Sequence, residues 1–159
     1  MKRRQGDIWD PVAVPTFWIN HASRLIVRRF EERLRPFGFG MAYVQVAIAL
    51  KLHGPLQQKE LVEIARVEQP TMAGLLARME RDRLIVRRPD PADARARLIA
   101  LSPRAKSVLA SVKREMGAVI DDAMAGISES DRKILVEALQ RVVHNLGDKT
   151  ALLAEDDDE

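Results

Sequence analysis

The sequence predicts a mainly α-helical fold with one small β-hairpin, arranged as a winged helix-turn-helix with further helices on both sides. Three observations predict it. Apolar residues recur about every 3.6 residues along most of the chain, which is typical of helices. Two short helical stretches meet at a tight turn over Arg66, Val67 and Glu68. Two later stretches alternate apolar and polar residues around a segment rich in Pro and Asp, which indicates a hairpin, the wing.

The first four helices are predicted from apolar spacing and from residues that begin or end helices. The first covers 15–36, between two prolines. The second, 41–53, is apolar on nearly all sides, which fits a buried central helix. The third covers 57–65. The fourth begins at Gln69, with Pro70 in its first turn, where a proline is well tolerated.

The second half of the chain predicts the wing and two long helices. The strands of the wing are expected at 84–88 and 97–101. Ser102 is a good N-cap with a proline after it, so a fifth helix is expected over 103–126. A sequence similar to a capping box at Ser128 begins a sixth helix, which ends at the next glycine.

Composition limits the class of protein. The chain has 159 residues, of which 47% are apolar and 31% charged, and no apolar run approaches the roughly 18 residues that span a bilayer. The absence of cysteine excludes disulfides, thiolate metal sites and thiol redox switches. The basic first residues are not followed by the apolar stretch of a signal peptide. We therefore expect a soluble, cytoplasmic protein.

Positive charge is concentrated in the middle of the chain. Between Arg66 and Lys106 there are ten Lys or Arg and five Asp or Glu, while the last five residues are all acidic. A basic region beside a helix-turn-helix favours a polyanionic partner. A short helix followed by an arginine-bearing hairpin is how a winged helix holds DNA.

Particular residues resemble the MarR family (multiple antibiotic resistance regulator) of winged-helix transcription factors. The Asp-x-Arg of the wing is the most diagnostic element, and the resemblance covers about residues 15–147. The matching segments are Tyr43-Val44-Gln45-Val46, Gln58-Lys59-Glu60-Leu61, Gln69-Pro70-Thr71-Met72 with Leu75 and Arg78-Met79-Glu80, Asp93-Ala94-Arg95, and Leu101-Ser102.

The resemblance implies a homodimer on double-stranded DNA. The two recognition helices would enter successive major grooves of a pseudo-palindromic operator, and each wing would reach a neighbouring minor groove. It further implies a repressor that a small aromatic or phenolic ligand releases from DNA. The family often has polar or basic residues where this chain has Ala73 and Gly74. We therefore expect fewer direct base contacts here.

Dimerisation also follows from the apolar faces of the first, fifth and sixth helices, which are wider than one small winged helix can cover. A second copy related by a two-fold axis is the simplest cover. We expect a single domain over 1–159, with a DNA-binding part at 41–102 and a dimerisation part at 15–36 and 103–147. The acidic tail at 148–159 is expected to be disordered.

Candidate DNA contacts lie on the fourth helix and the wing. An arginine at a hairpin tip can enter a narrow minor groove, which favours Arg95, and the resemblance implies that Asp93 holds it in position. The start of the recognition helix can meet base edges and phosphates. The candidates are Gln69, Pro70, Thr71, Arg78, Arg87, Arg88, Asp93, Arg95 and Arg97, with Arg66 and Arg83 as helpers. The alternatives are helix capping, exposed ion pairs and a solvated surface.

A ligand cavity is expected between the first, second and fifth helices. Aromatic side chains could stack on an aromatic ligand, and cationic ones could pair with its anion. The candidates are Trp18, His21, Arg24, Tyr43 and His53. Core packing or an ordinary interface is the alternative for each.

Other functions have less support. The sequence has no phosphate-binding glycine loop, nucleophile elbow or His-Glu-x-x-His motif, and its three histidines are scattered. The adjacent Asp121 and Asp122 are expected on a solvated helix face. We therefore predict neither an enzyme nor a cofactor, and no metal site. A winged helix that binds only protein is the alternative to a DNA-binding regulator.

Overall fold

A computed structural model describes residues 10–93 and 95–147 of the chain. The acidic tail and Ala94 of the wing lie outside the described residues. The elements, in chain order, are α1 (Pro15–Leu34), α2 (Met41–His53), β1 (Leu56–Gln57), α3 (Gln58–Ala65), α4 (Gln69–Arg81), β2 (Ile85–Pro89), β3 (Arg97–Leu101), α5 (Pro103–Ala123) and α6 (Glu129–Asn145). The chain divides after Val119 into two compact units. No helix among the described residues has the length and apolarity to cross a bilayer.

Most helices have the predicted bounds, and the differences have local causes. A separate 3-10 turn follows α1, and it ends at Gly38, whose φ of 73° suits glycine. The third helix begins one residue later than predicted because Gln57 is its N-cap. The Gln57 backbone N–H donates to the Glu60 carboxylate at 2.6 Å in a capping box. The fifth helix ends at Ala123, before the glycine expected to end it.

The sheet has three strands, one more than the predicted hairpin. Its order is β1-β3-β2, and both pairings are antiparallel. Leu56 of β1 lies opposite Ile99, and Ile85 of β2 lies opposite Leu101. The first wing strand begins at Ile85 and includes Pro89, one residue later than predicted. The sequence does not predict β1, because two residues are too few to show an alternating pattern.

The core of the first unit lies between α4, the sheet and the neighbouring helices. On α4, Met72, Leu76 and Met79 are fully buried, at the spacing of one helix face. Leu61 of α3 and Ile99 of β3 belong to the same buried cluster. The recognition helix is thus held by its apolar face, which leaves its other face exposed.

Ser102 joins the end of the sheet to α5 and is only 5% exposed. Its hydroxyl donates to the Arg83 carbonyl at 2.7 Å and accepts from the Ala105 N–H at 3.0 Å. Its own N–H donates to the Leu84 carbonyl at 2.9 Å. The predicted N-cap therefore also anchors the turn between α4 and β2, where Arg83 has a φ of 57°.

The second unit contains α6, whose N-terminus is capped as predicted but with a different reciprocal bond. The Ser128 hydroxyl oxygen accepts from the Asp131 N–H at 3.2 Å, and its hydroxyl bonds the Asp131 carboxylate at 2.6 Å. The Arg132 guanidinium donates to the carbonyls of Ile127 and Met124, which closes the turn before α6. None of the residues of α6 is buried.

We expect Ser102→Ala to lower the free energy of unfolding by about 1 to 3 kcal/mol, because it removes a helix cap and the part-buried hydrogen bond to the Arg83 carbonyl. Denaturant unfolding measures this change. Ser107→Ala is the matched control, since the exposed Ser107 hydroxyl bonds only a carbonyl of its own helix. Equal stability of the two variants would contradict the role of Ser102.

Candidate nucleic-acid interface

The exposed face of α4 carries the predicted recognition residues. Gln69, Pro70 and Thr71 form its first turn and are exposed. Arg78 lies two turns beyond Thr71, on the same side of the helix. A Cβ placed on Gly74 would come 3.7 Å from the Arg78 guanidinium, so that side chain folds back over the glycine. The Arg78 guanidinium therefore partly covers the middle of the helix in this structure.

The arginines of the wing lie on both faces of the sheet. Because directly opposed residues of antiparallel strands share a face, Arg87, opposite Ile99, lies on the same face as Arg97. Arg88 lies on the other face. The Arg87 Nε donates to the Glu80 carboxylate of α4 at 3.1 Å. Arg87 thus connects the wing to α4. Arg88 and Arg97 lie on opposite faces of the wing.

The tip of the wing is shaped by Asp93. Its carboxylate accepts from the Arg95 backbone N–H at 2.9 Å, and its carbonyl accepts from the Ala96 N–H at 3.0 Å. The expected restraint on Arg95 therefore acts on its backbone, and no ion pair joins the two side chains in the described part of the chain. The Arg95 side chain is exposed. Its charge remains available to a partner.

Two consecutive glutamines at the start of α3 contact the wing and the recognition helix. The Gln57 Nε2 donates to the Asp90 carboxylate at 2.7 Å, and the Gln58 Nε2 donates to the Gln69 Oε1 at 3.1 Å. The Asp90 carboxylate also accepts from the Ala92 N–H at 2.9 Å. The bond from Ala92, followed by that from Gln57, lowers the pKa of Asp90.

Asp90 and Gln57 were missed as site residues, because their partners are distant in sequence. The Pro and Asp content of the wing predicts a turn, but it does not predict that Asp90 would bond Gln57.

Asp82, at the C-terminal end of α4, connects three helices. Its carboxylate accepts from the Tyr43 hydroxyl of α2 at 2.8 Å and from the Arg81 Nε at 3.0 Å. Its carbonyl accepts from Arg104 of α5 at 2.8 Å. The Arg81 bond, followed by the Tyr43 bond, lowers the pKa of Asp82, while burial and then the bond to Asp82 raise the pKa of Tyr43.

The predicted ligand residues of α1 lie close together. The Trp18 and His21 ring centroids are 6.4 Å apart, and the His21 ring stacks on Phe17 at 5.9 Å. The Trp18 indole N–H donates to the Val12 carbonyl at 3.0 Å. Arg24 is exposed one turn after His21. This end of α1 therefore presents aromatic rings and a cation together.

The structure does not gather all five predicted ligand residues at one point. Tyr43 and His53 lie at opposite ends of α2, about 15 Å apart along its axis. The Tyr43 hydroxyl is already bonded to Asp82. A single small ligand is not expected to contact both residues.

The helper candidates occupy turns. Arg66 ends α3 with a φ of 51°, and Arg83 follows α4 with a φ of 57°. Such left-handed positions shape the turns on both sides of the recognition helix. Both side chains are exposed.

Comparisons with known proteins agree with this geometry. Residues 37–96 match the sequence profile of the MarR family. The uncharacterised HTH-type transcriptional regulator YwoH of Bacillus subtilis is 29% identical over 115 residues, which cover 72% of this chain and 83% of YwoH.

Two solved structures share the fold. A mutant MarR from E. coli in complex with operator DNA has a TM-score of 0.74 at 17% identity, covering 87% of this chain and 99% of that one. BpsR of Bordetella bronchiseptica, whose DNA binding is regulated by 6-hydroxynicotinic acid, has a TM-score of 0.71 at 19% identity, covering 86% and 96%. The predicted fold is confirmed, and the matching profile agrees with the predicted family.

We expect the Ala92 amide resonance to titrate with Asp90 at a midpoint below the usual aspartate range. Because the folded-state pKa of Asp90 is lowered, its contribution to wing stability is complete above the unfolded-state pKa and is lost as pH falls through the folded-state pKa. NMR titration measures the midpoint. Asp90→Asn should abolish this titration, and Asp121→Asn, on α5, should preserve it. A midpoint at or above the usual aspartate value would contradict the anchor.

Proposed function

We propose that the chain is a MarR-family winged-helix protein and a sequence-specific DNA-binding regulator that represses transcription as a homodimer. One observation carries this proposal. The exposed start of α4 and the arginine-bearing wing are joined to the same short segment, through Gln57 and Gln58. A reading helix and a charged hairpin in fixed relation suit one major groove and the minor groove beside it.

The charges on these elements have distinct expected roles. Arg95, exposed at the wing tip, is proposed for the minor groove, where a narrow groove concentrates negative potential. Arg78, Arg88 and Arg97 are proposed for phosphates, which add affinity but little sequence information. Arg87 shares its charge with Glu80, so its first role is to hold the wing.

The homodimer is supported by exposed apolar side chains on the terminal helices. Leu25 of α1 is 50% exposed, and Ile134 and Val136 of α6 are 63% and 53% exposed. Large apolar side chains exposed on a helix face are typical of an interaction surface. A second copy would cover them and, through two-fold symmetry, would place two recognition helices on a pseudo-palindromic operator.

Release by a small aromatic or phenolic ligand is the further part of the proposal. Trp18 and His21 offer ring faces, and Arg24 offers a partner for a carboxylate or phenolate. Tyr43 is proposed to act through its ring, since its hydroxyl holds Asp82. His53 is proposed only as a peripheral residue, because it lies at the far end of α2.

We expect DNA affinity to fall steeply with salt, and Arg95→Ala to weaken binding about tenfold and reduce the slope of log K against log salt by about 1. Fluorescence anisotropy over a salt series measures both. Arg141→Ala, an exposed arginine of α6, is the control and should bind as the wild type does. An affinity independent of salt would indicate the alternative, a winged helix that binds only protein.

We expect Val136→Glu to convert the dimer to monomers, because the dimer interface would have to bury an unpaired carboxylate. Sedimentation equilibrium measures the mass, and circular dichroism checks that the helices persist. Lys133→Glu, which replaces an exposed charge on the same helix, should remain dimeric. A wild-type protein that is monomeric at micromolar concentration would contradict the homodimer.

A further inference from the structure

Gln58 and Gln69 form a hydrogen-bonded pair at the start of the proposed DNA-reading helix. Gln58 is the first residue of α3, Gln69 is the first residue of α4, and the Gln58 Nε2 lies 3.1 Å from the Gln69 Oε1. Gln69 is exposed, and Gln58 is half-buried. The outer amide is therefore supported from behind by the inner one.

The hydrogen bond couples the orientations of the two amides. An amide N–H₂ can only donate and an amide oxygen can only accept. In the structure the Gln58 Nε2 faces the Gln69 oxygen, and flipping one amide alone would oppose two donors. The Gln69 Oε1 has a second lone pair, and its Nε2 keeps two hydrogens. The exposed Gln69 amide thus presents an acceptor and a donor side by side.

This pattern matches one base. In the major groove, adenine presents the N7 acceptor beside the N6 donor, whereas guanine presents two acceptors, N7 and O6. The Gln69 Nε2 can donate to N7 while its Oε1 accepts from N6. Guanine would place O6 against the Gln69 oxygen. We propose that Gln69 reads an adenine in each half-site and that Gln58 is the positioning residue that orients it; this rests on the proposed function.

The residues that follow on α4 offer few other groups that could bind a base. Ala73 and Gly74, the next residues on the exposed part of α4, have no polar side chain. Gln57, the neighbour of Gln58, is bonded to Asp90 of the wing. The start of α3 therefore cannot shift without moving the wing, which keeps Gln58 in place while the helix docks.

Selection of binding sites from randomised DNA tests the proposal. The wild type should select adenine at one position of each half-site. Gln69→Ala should lower that preference about tenfold or more, and leave the other positions unchanged. Gln58→Ala should lower the preference at the same position only, and the double variant should resemble Gln69→Ala, because the two residues act as a unit. Gln45→Ala, another exposed glutamine of the winged helix, should select the wild-type site.

A modified base gives a test that needs no variant to fold. Replacing the selected adenine with 7-deazaadenine removes the N7 acceptor, so wild-type binding should weaken severalfold, while Gln69→Ala should not distinguish the two sites. Salt-dependent binding by the wild type, with base preferences that neither variant changes, would overturn the inference and leave the proposed function standing. Absence of salt-dependent DNA binding by the wild type would overturn both.

Discussion

The central strand β3 is the constraint on which the rest of the structure depends. It pairs with β1 on one side and with β2 on the other, so three segments from different parts of the chain share one sheet. β1 leads directly into α3, and β2 follows the turn after α4. The recognition helix and the wing therefore have a common base. Displacing β3 would change the position of both elements proposed to contact DNA.

The polar contacts around the sheet contribute differently to stability because they differ in burial. Ser102 is almost completely buried, and its hydroxyl both caps α5 and bonds the Arg83 carbonyl, so its loss removes two bonds at once. The pair between Arg87 and Glu80 is partly exposed, and such pairs typically contribute about 0 to 1 kcal/mol. The first kind of contact stabilises the fold. The second joins the wing to α4 only weakly.

The sequence predicts the elements that depend on neighbouring residues. Apolar periodicity gave the helices, and Ser102 and Ser128 were recognised as caps because capping depends on neighbouring residues. It missed what depends on distant partners. β1 is too short to show a pattern, and the bonds from Gln57 to Asp90 and from Gln58 to Gln69 join residues 33 and 11 positions apart. The ligand residues were grouped by chemistry, and α2 separates two of them.

Two copies of one winged helix, each with a reading helix and a basic hairpin on a shared sheet, should leave a characteristic footprint on DNA. The most direct measurement combines methylation protection of the major groove with hydroxyl-radical cleavage of the minor groove on the selected operator. We expect two protected major-groove segments about 10 base pairs apart, each with a protected minor groove beside it. A single protected segment, or protection of one groove only, would contradict it.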